Sequence, residues 1–160
     1  MKIVPVEDIP KEMADVPLDN LNEIYITGKK MEAICLENKG IGISAAQVGI
    51  PWNFFIYCVY KKDFRYMVNC KYEPLTEEKF SGIEGCLSIL DSNGSPRRFK
   101  VLRHKKIKVS GYEIVSDEKL HLEKFERAFT PSLESILIQH EIDHQEGVLI
   151  SDIGEEVQVF

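Results

Sequence analysis

Toward the end of the chain, Gln139-His140-Glu141-Ile142-Asp143-His144 spells H-E-x-x-H within a stretch of helical periodicity. Histidines at i and i+4 project from one helix face and can share a divalent ion. Glu141 lies roughly a quarter turn round from His140, where a carboxylate can reach a water on the ion rather than the ion itself. Such a set can ionise water at neutral pH, as a hydrolase needs. The competing reading is a charged, solvent-facing helix that carries two histidines by coincidence, and so short a pattern leaves both open.

A catalytic ion of this kind takes three protein ligands and keeps one position for water. Glu84-Gly85-Cys86-Leu87-Ser88 is the best source of the third, because Cys86 follows a glycine and stands outside the apolar segments holding Cys35, Cys58 and Cys70. As a ligand it would be a thiolate, held deprotonated by the ion's own charge. Composition supports equally the view that Cys86 is one more small buried residue.

The elements that must position these groups can be read in outline. Pro5, Pro10 and Pro17 predict an extended arm with turns. Leu21, Ile24, Tyr25, Met31, Ile34 and Cys35 recur at helical spacing, predicting one helix from Leu18 to about Asn38, weakened by Gly28 and stopped by Lys39-Gly40. Strands are predicted over 54–60, 66–70 and 76–80, then one over 101–112 and one or two over 113–129 with a turn near Ser116-Asp117. Thr130 as N-cap and Pro131 at the first helical position predict the start of the H-E-x-x-H helix, with Gly147 near its stop. Strands grouped ahead of a late helix predict an α+β fold: mostly antiparallel sheet around a C-terminal metal-binding helix, plus an N-terminal helix.

Composition bounds the rest. The chain has 160 residues, 44% of them apolar, which suits a single soluble domain spanning residues 1–160. A net charge of −6 argues against DNA or any partner held by phosphate neutralisation. The one basic cluster, Arg97-Arg98-Phe99-Lys100 with Arg103-His104-Lys105-Lys106, reads as a solvated loop and strand edge; a weak contact with ribosomal RNA is the lesser reading. No apolar run is long enough for a membrane span. The opening residues lack the features of a secretion signal, so the four cysteines are expected as reduced thiols, Cys35, Cys58 and Cys70 in the core.

Three blocks in this order, Gly40-Ile41-Gly42-Ile43-Ser44-Ala45-Ala46-Gln47, then Glu84-Gly85-Cys86-Leu87-Ser88, then Gln139-His140-Glu141-Ile142-Asp143-His144, resemble the three signature motifs of the peptide deformylase family. The resemblance spans residues 18 to 150 and implies roles position by position. Cys86, His140 and His144 would hold the metal, iron(II) in the cell with zinc, nickel or cobalt able to replace it. Glu141 would act as general base and then acid, while Gln47 and the Leu87 N–H would donate to the formyl oxygen. The substrate implied is the formyl-methionine end of a new polypeptide, lying as an added strand beside Gly42 and Ile43, with Gly85 also in contact. Its methionine side chain would enter a pocket of Ile43, Leu133, Ile136 and Leu137, walled by His140, although at least one of Ile136 and Leu137 is expected in ordinary core packing.

Some positions depart from the family pattern: Ser44, Ala46, Leu90, Gln145, a longer loop over residues 91–96 and the N-terminal arm. The short acidic tail suggests a compact form without an extended C-terminal helix, with ribosome contact weak or absent, and an edge strand at Val157-Val159 or a frayed end. A cytoplasmic monomer is expected, in a bacterium, an organelle or a phage-infected host. Two rivals remain. An H-E-x-x-H peptidase would take its third ligand downstream, where Glu146, Glu155 and Glu156 are available. A binding module with a closed structural metal would need His104 or His121, both of which read as surface residues.

Overall fold

The computed structural model describes residues 1–60 and 63–158. The first helix, α1 (Leu21–Glu37), buries Ile24, Met31, Ile34 and Cys35 along one face. Gly28 is not a weak point in it. A Cβ there would stand 2.4 Å from Tyr66 Cε2, so the missing side chain is the slot that lets an aromatic ring lie on the helix.

Five strands follow in one antiparallel sheet of order β1-β2-β3-β6-β7: β1 (Gly42–Ser44), β2 (Phe54–Tyr57), β3 (Arg65–Pro74), β6 (Ile107–Ser116) and β7 (Leu120–Phe129). Alternate residues of β2 belong to different cores, which is how a strand buried on both faces must read. Phe54 and Ile56 pack with α1, while Phe55 and Tyr57 pack with Leu137, Ile138 and Ile142 of α2 (Leu133–Gln145). The sheet is therefore covered by one helix on each face. Beside it, β4 (Lys79–Glu84), β5 (Arg98–His104) and β8 (Glu155–Val157) make a three-stranded antiparallel sheet, with the short helix α3 (Ile150–Ile153) against β5. Cys86, Ile89, Phe99, Val101 and Ile150 form its separate small core.

Three expectations are corrected by the structure. Residues 101–112 are not one strand: the chain breaks at Lys105-Lys106, and β5 and β6 enter different sheets. The cap of α2 is Ser132, whose Oγ accepts the Ser135 N–H at 3.0 Å, two residues later than Thr130. Cys58 is only half-buried, unlike Cys35 and Cys70. His104 and His121 are part-exposed, in keeping with surface residues. The arm carries a 3-10 turn at Val6–Asp8, and Val4 N–H reaches Gln47 O at 2.9 Å. Of the expected tail strand, Val157 pairs with Arg98, and Val159 lies outside the described residues.

Candidate metal centre and cleft

Helix α2 is buried nearly all round, so its polar side chains must find partners or hold a ligand. Gln139 does the former, exchanging hydrogen bonds with the backbone of His104. His140 and His144 are placed for the latter. Past the end of β4 the chain turns tightly from Cys86 to Ile89, and that turn carries the Cys86 sulfur to the histidines. The ligand atoms of Cys86, His140 and His144 lie within 4.8 Å of one another, and no other such trio occurs among the described residues. Donors bound to one ion at about 2.1 and 2.3 Å with a tetrahedral angle stand about 3.6 Å apart. Cys86 Sγ and His144 Nε2 are separated by 3.8 Å, and the two rings meet edge to face at 5.0 Å. One sulfur and two imidazoles, so spaced, fit a first-row divalent ion.

The ring of His140 is aimed from behind. Its Nδ1 lies 2.9 Å from Glu84 Oε1, which leaves Nε2 for the metal side. Glu84 is in turn gripped by Arg103 through bonds of 2.8 and 2.7 Å, and Arg103 reaches Asp143 at 2.5 Å. Arg103 is 2% exposed, so the basic cluster is not all solvated loop and strand edge. The signal that finds it is not local: only the pairing of β4 with β5 brings Arg103 to Glu84.

Charge states follow from these neighbours. Burial would push the Glu84 carboxyl up, but its bonds to Arg103 and His140 win and hold it below the ordinary value. Burial opposes a charge on His140, yet bonds to Cys86 and Glu84 raise it to about 10. A ligand imidazole must be neutral, so an entering metal displaces that proton. Burial, helped by the nearby His140 and Arg103, keeps His144 well below the ordinary histidine value. Burial also raises Glu141 to about 7, against the pull of His140.

Gln47 is 1% exposed, in a 3-10 turn over Ala45–Val48. Its Oε1 accepts the Ser44 N–H at 3.0 Å, and its Nε2 donates to Ser88 Oγ at 2.9 Å and Cys86 Sγ at 3.4 Å. The Ser44 hydroxyl also finds a partner, donating to Gln47 Oε1 at 3.5 Å. The Cys86–Ile89 turn holds Leu87, whose side chain lies against Gly40.

A cleft of about 340 Å³ opens over this centre. Gly42, Gly85, Cys86, Leu87, Leu133, Ile136, Leu137, His140 and Glu141 line it, together with Gln47. Gly42 rides directly over the carboxylate: a Cβ there would stand 3.2 Å from Glu141 Oε1. Ile43, expected in the pocket, is instead fully buried in the α1 core and is not part of the lining, because strand alternation turns it away from Gly42's side. Leu137 serves both the cleft and the α2 core. His104 packs on Tyr72 and His121 sits near Asp117 and Glu123, so neither joins the metal trio.

A profile of the family described as polypeptide deformylase matches residues 3–158. The peptide deformylase of Desulfosudis oleivorans is 31% identical, over 92% of this chain and 84% of its own length. That of Buchnera aphidicola from Acyrthosiphon pisum is 30% identical, over 92% of this chain and 73% of its own length. Among solved structures, the class I type b peptide deformylase from Acinetobacter baumannii with Met-Ala-Ser bound superposes with a TM-score of 0.79 at 29% identity, covering 95% of this chain and 97% of that one. On this coverage and likeness, the chain belongs to the polypeptide deformylase family of hydrolases.

Proposed function

We propose that residues 1–160 act as one catalytic domain that removes the formyl group from the N-terminal formyl-methionine of newly made polypeptides. The observation that carries this is the placing of Glu141 beside the Cys86–His140–His144 trio, with Cys86, His140 and Glu141 lining one cleft. A divalent ion held by those three residues would supply Lewis-acid activation of a water and of the formyl oxygen. Glu141, raised to about 7, takes the proton of the attacking water and passes it to the leaving nitrogen. The water oxygen bonds to the formyl carbon, the C–N bond breaks, and formate and a free amino terminus result. Gln47 Nε2 and the Leu87 N–H donate to the oxygen as it gains charge. The Nε2 hydrogen aimed at the Cys86 sulfur is the one available to turn toward substrate.

β1 is an edge of its sheet, so its outer side can accept an extended peptide as an added strand. Gly42 and Gly85 let that backbone approach, and Leu133, Ile136 and Leu137 offer apolar contact to a methionine side chain. The Acinetobacter relative with Met-Ala-Ser bound supports a peptide with N-terminal methionine. Iron(II) is the proposed metal, with zinc, nickel or cobalt as substitutes, and a thiolate-bound iron(II) suits a reducing compartment such as the cytoplasm. Anaerobic assay of the purified protein on a formyl-Met peptide, with metal analysis, tests the reading. Formate should appear in equal amount with free amine at one metal per chain. Stoichiometric metal without formate would overturn it.

A further inference from the structure

The lining of the cleft includes apolar side chains, but it also carries two exposed cations, Lys39 and Arg98. Lys39 ends the turn after α1 with φ 56, a left-handed conformation that normally falls to glycine at this point of a helix stop. A lysine kept there at some conformational cost directs attention to its side chain. Arg98 opens β5 and lies across Gly85: a Cβ on that glycine would stand 2.8 Å from Nη1 and 3.4 Å from Cζ. Gly85 thus leaves room for a guanidinium one residue from Cys86.

Neither cation is neutralised by a described carboxylate. The neighbouring Arg97 is, through Glu156 of β8 at 2.8 Å, so the two adjacent arginines differ in kind. The acidic groups in the lining are Glu84, engaged by Arg103 and His140, and Glu141, buried beside the metal trio. The chain as a whole carries −6, so a cationic cleft edge runs against its overall sign.

From this, and resting on the deformylase reading, we infer that the cleft selects formyl-Met peptides with acidic side chains in the residues that follow methionine. The chemistry is charge pairing of a peptide carboxylate with Lys39 and Arg98. Exposed ion pairs are individually weak, so two of them give a preference of about three- to ten-fold over a lysine-bearing peptide. These charges act away from the bond that breaks, on bound substrate and transition state alike, so the difference appears in KM rather than kcat. It shrinks in salt as the screening length falls to about 3 Å near 1 M.

The test uses the metal-loaded enzyme on three amidated peptides, formyl-Met-Asp-Asp, formyl-Met-Ser-Ser and formyl-Met-Lys-Lys, at low and high salt. The expected order of kcat/KM at low salt is acidic, neutral, basic. A Lys39→Glu/Arg98→Glu double variant should invert it. Equal kcat/KM for all three, or an order unchanged in the double variant, would overturn the inference while leaving deformylation standing. Failure to hydrolyse even the neutral peptide would overturn both.

Discussion

Glu141 has one carboxylate oxygen, Oε2, buried without a hydrogen-bond partner among the described residues, an arrangement that structure alone does not favour. Glu141→Gln keeps the shape and removes the proposed base. Metal content should persist while turnover falls about a hundred-fold or more. Loss of metal from a folded variant, measured by elemental analysis, would place Glu141 among the ligands instead. Gln47 is predicted to matter twice. Its oxygen satisfies the Ser44 N–H and its nitrogen ties Ser88, so Gln47→Ala should lower the melting temperature. It should also raise the barrier to reaction by about 2.7–4 kcal/mol, as loss of an oxyanion donor does. Steady-state kinetics run beside a melting curve separate the effects, and an unchanged maximal rate would leave Gln47 a purely structural residue. His140, His144 and Glu141 are legible at this scale because residue type and close spacing carry them, whereas Cys86 stands 54 positions before His140 and is assigned only through the family resemblance. Arg103 is not legible, since its burial depends on which strand lies opposite.

Two elements are decisive at this scale, the first for the metal trio and the second for the large sheet. The first is the β4–β5 pair, which places Arg103 against Glu84 and thereby aims His140. Arg103→Met would leave the Glu84 carboxylate buried without its cation, which typically costs about 3–5 kcal/mol. Metal affinity should also fall, by about 10–100-fold, because the outer partner of a ligand histidine is disturbed. Calorimetric melting with metal titration checks both, and unaltered affinity would make the ion pair a matter of stability alone. The second is the bulge in β3, where the register shifts between Val68 and Lys71 opposite β6. Asn69 there has φ 53 and bonds to the backbone of Val16, and Gly111 faces it with φ 156. A Cβ on Gly111 would stand 2.7 Å from Cys70 Sγ and 2.8 Å from Cys70 Cα. Gly111→Ala is expected to lower stability by about 1–3 kcal/mol, read from a denaturant midpoint. Helix bodies and the β6–β7 hairpin are legible from periodicity and turn residues. The split of residues 101–112 is not, because Lys105-Lys106 breaks alternation no more than a solvent-facing pair would. The glycine of α1 misleads for the same reason: its partner, Tyr66, is remote in sequence.

At the scale of the whole molecule, the metal trio joins the two sheets' territories. Cys86 belongs to the small core with residues of β5 and α3, whereas the α2 that bears His140 and His144 packs on the large sheet. A bound ion is therefore a cross-link between two cores, and its removal should loosen the chain as a unit. Free metal at about 100 times its dissociation constant adds about 2.7 kcal/mol to stability. The melting temperature should drop on chelation in the wild type and stay put in Cys86→Ala. A chelator shift that survives in that variant would assign the stabilising ion to some other site. The same arrangement sets a timetable. Cys86 and His144 are separated by 58 positions, and a ribosome adds about 5–20 residues per second, so the sulfur is made about 3–12 s before its last partner exists. β8, which closes the small sheet along β5, is made later still. Throughout that interval the Cys86 sulfur is without its complete pair of histidine neighbours. A complete set of three donors thus exists only once His144 has been made, with Cys86 the first of them in chain order.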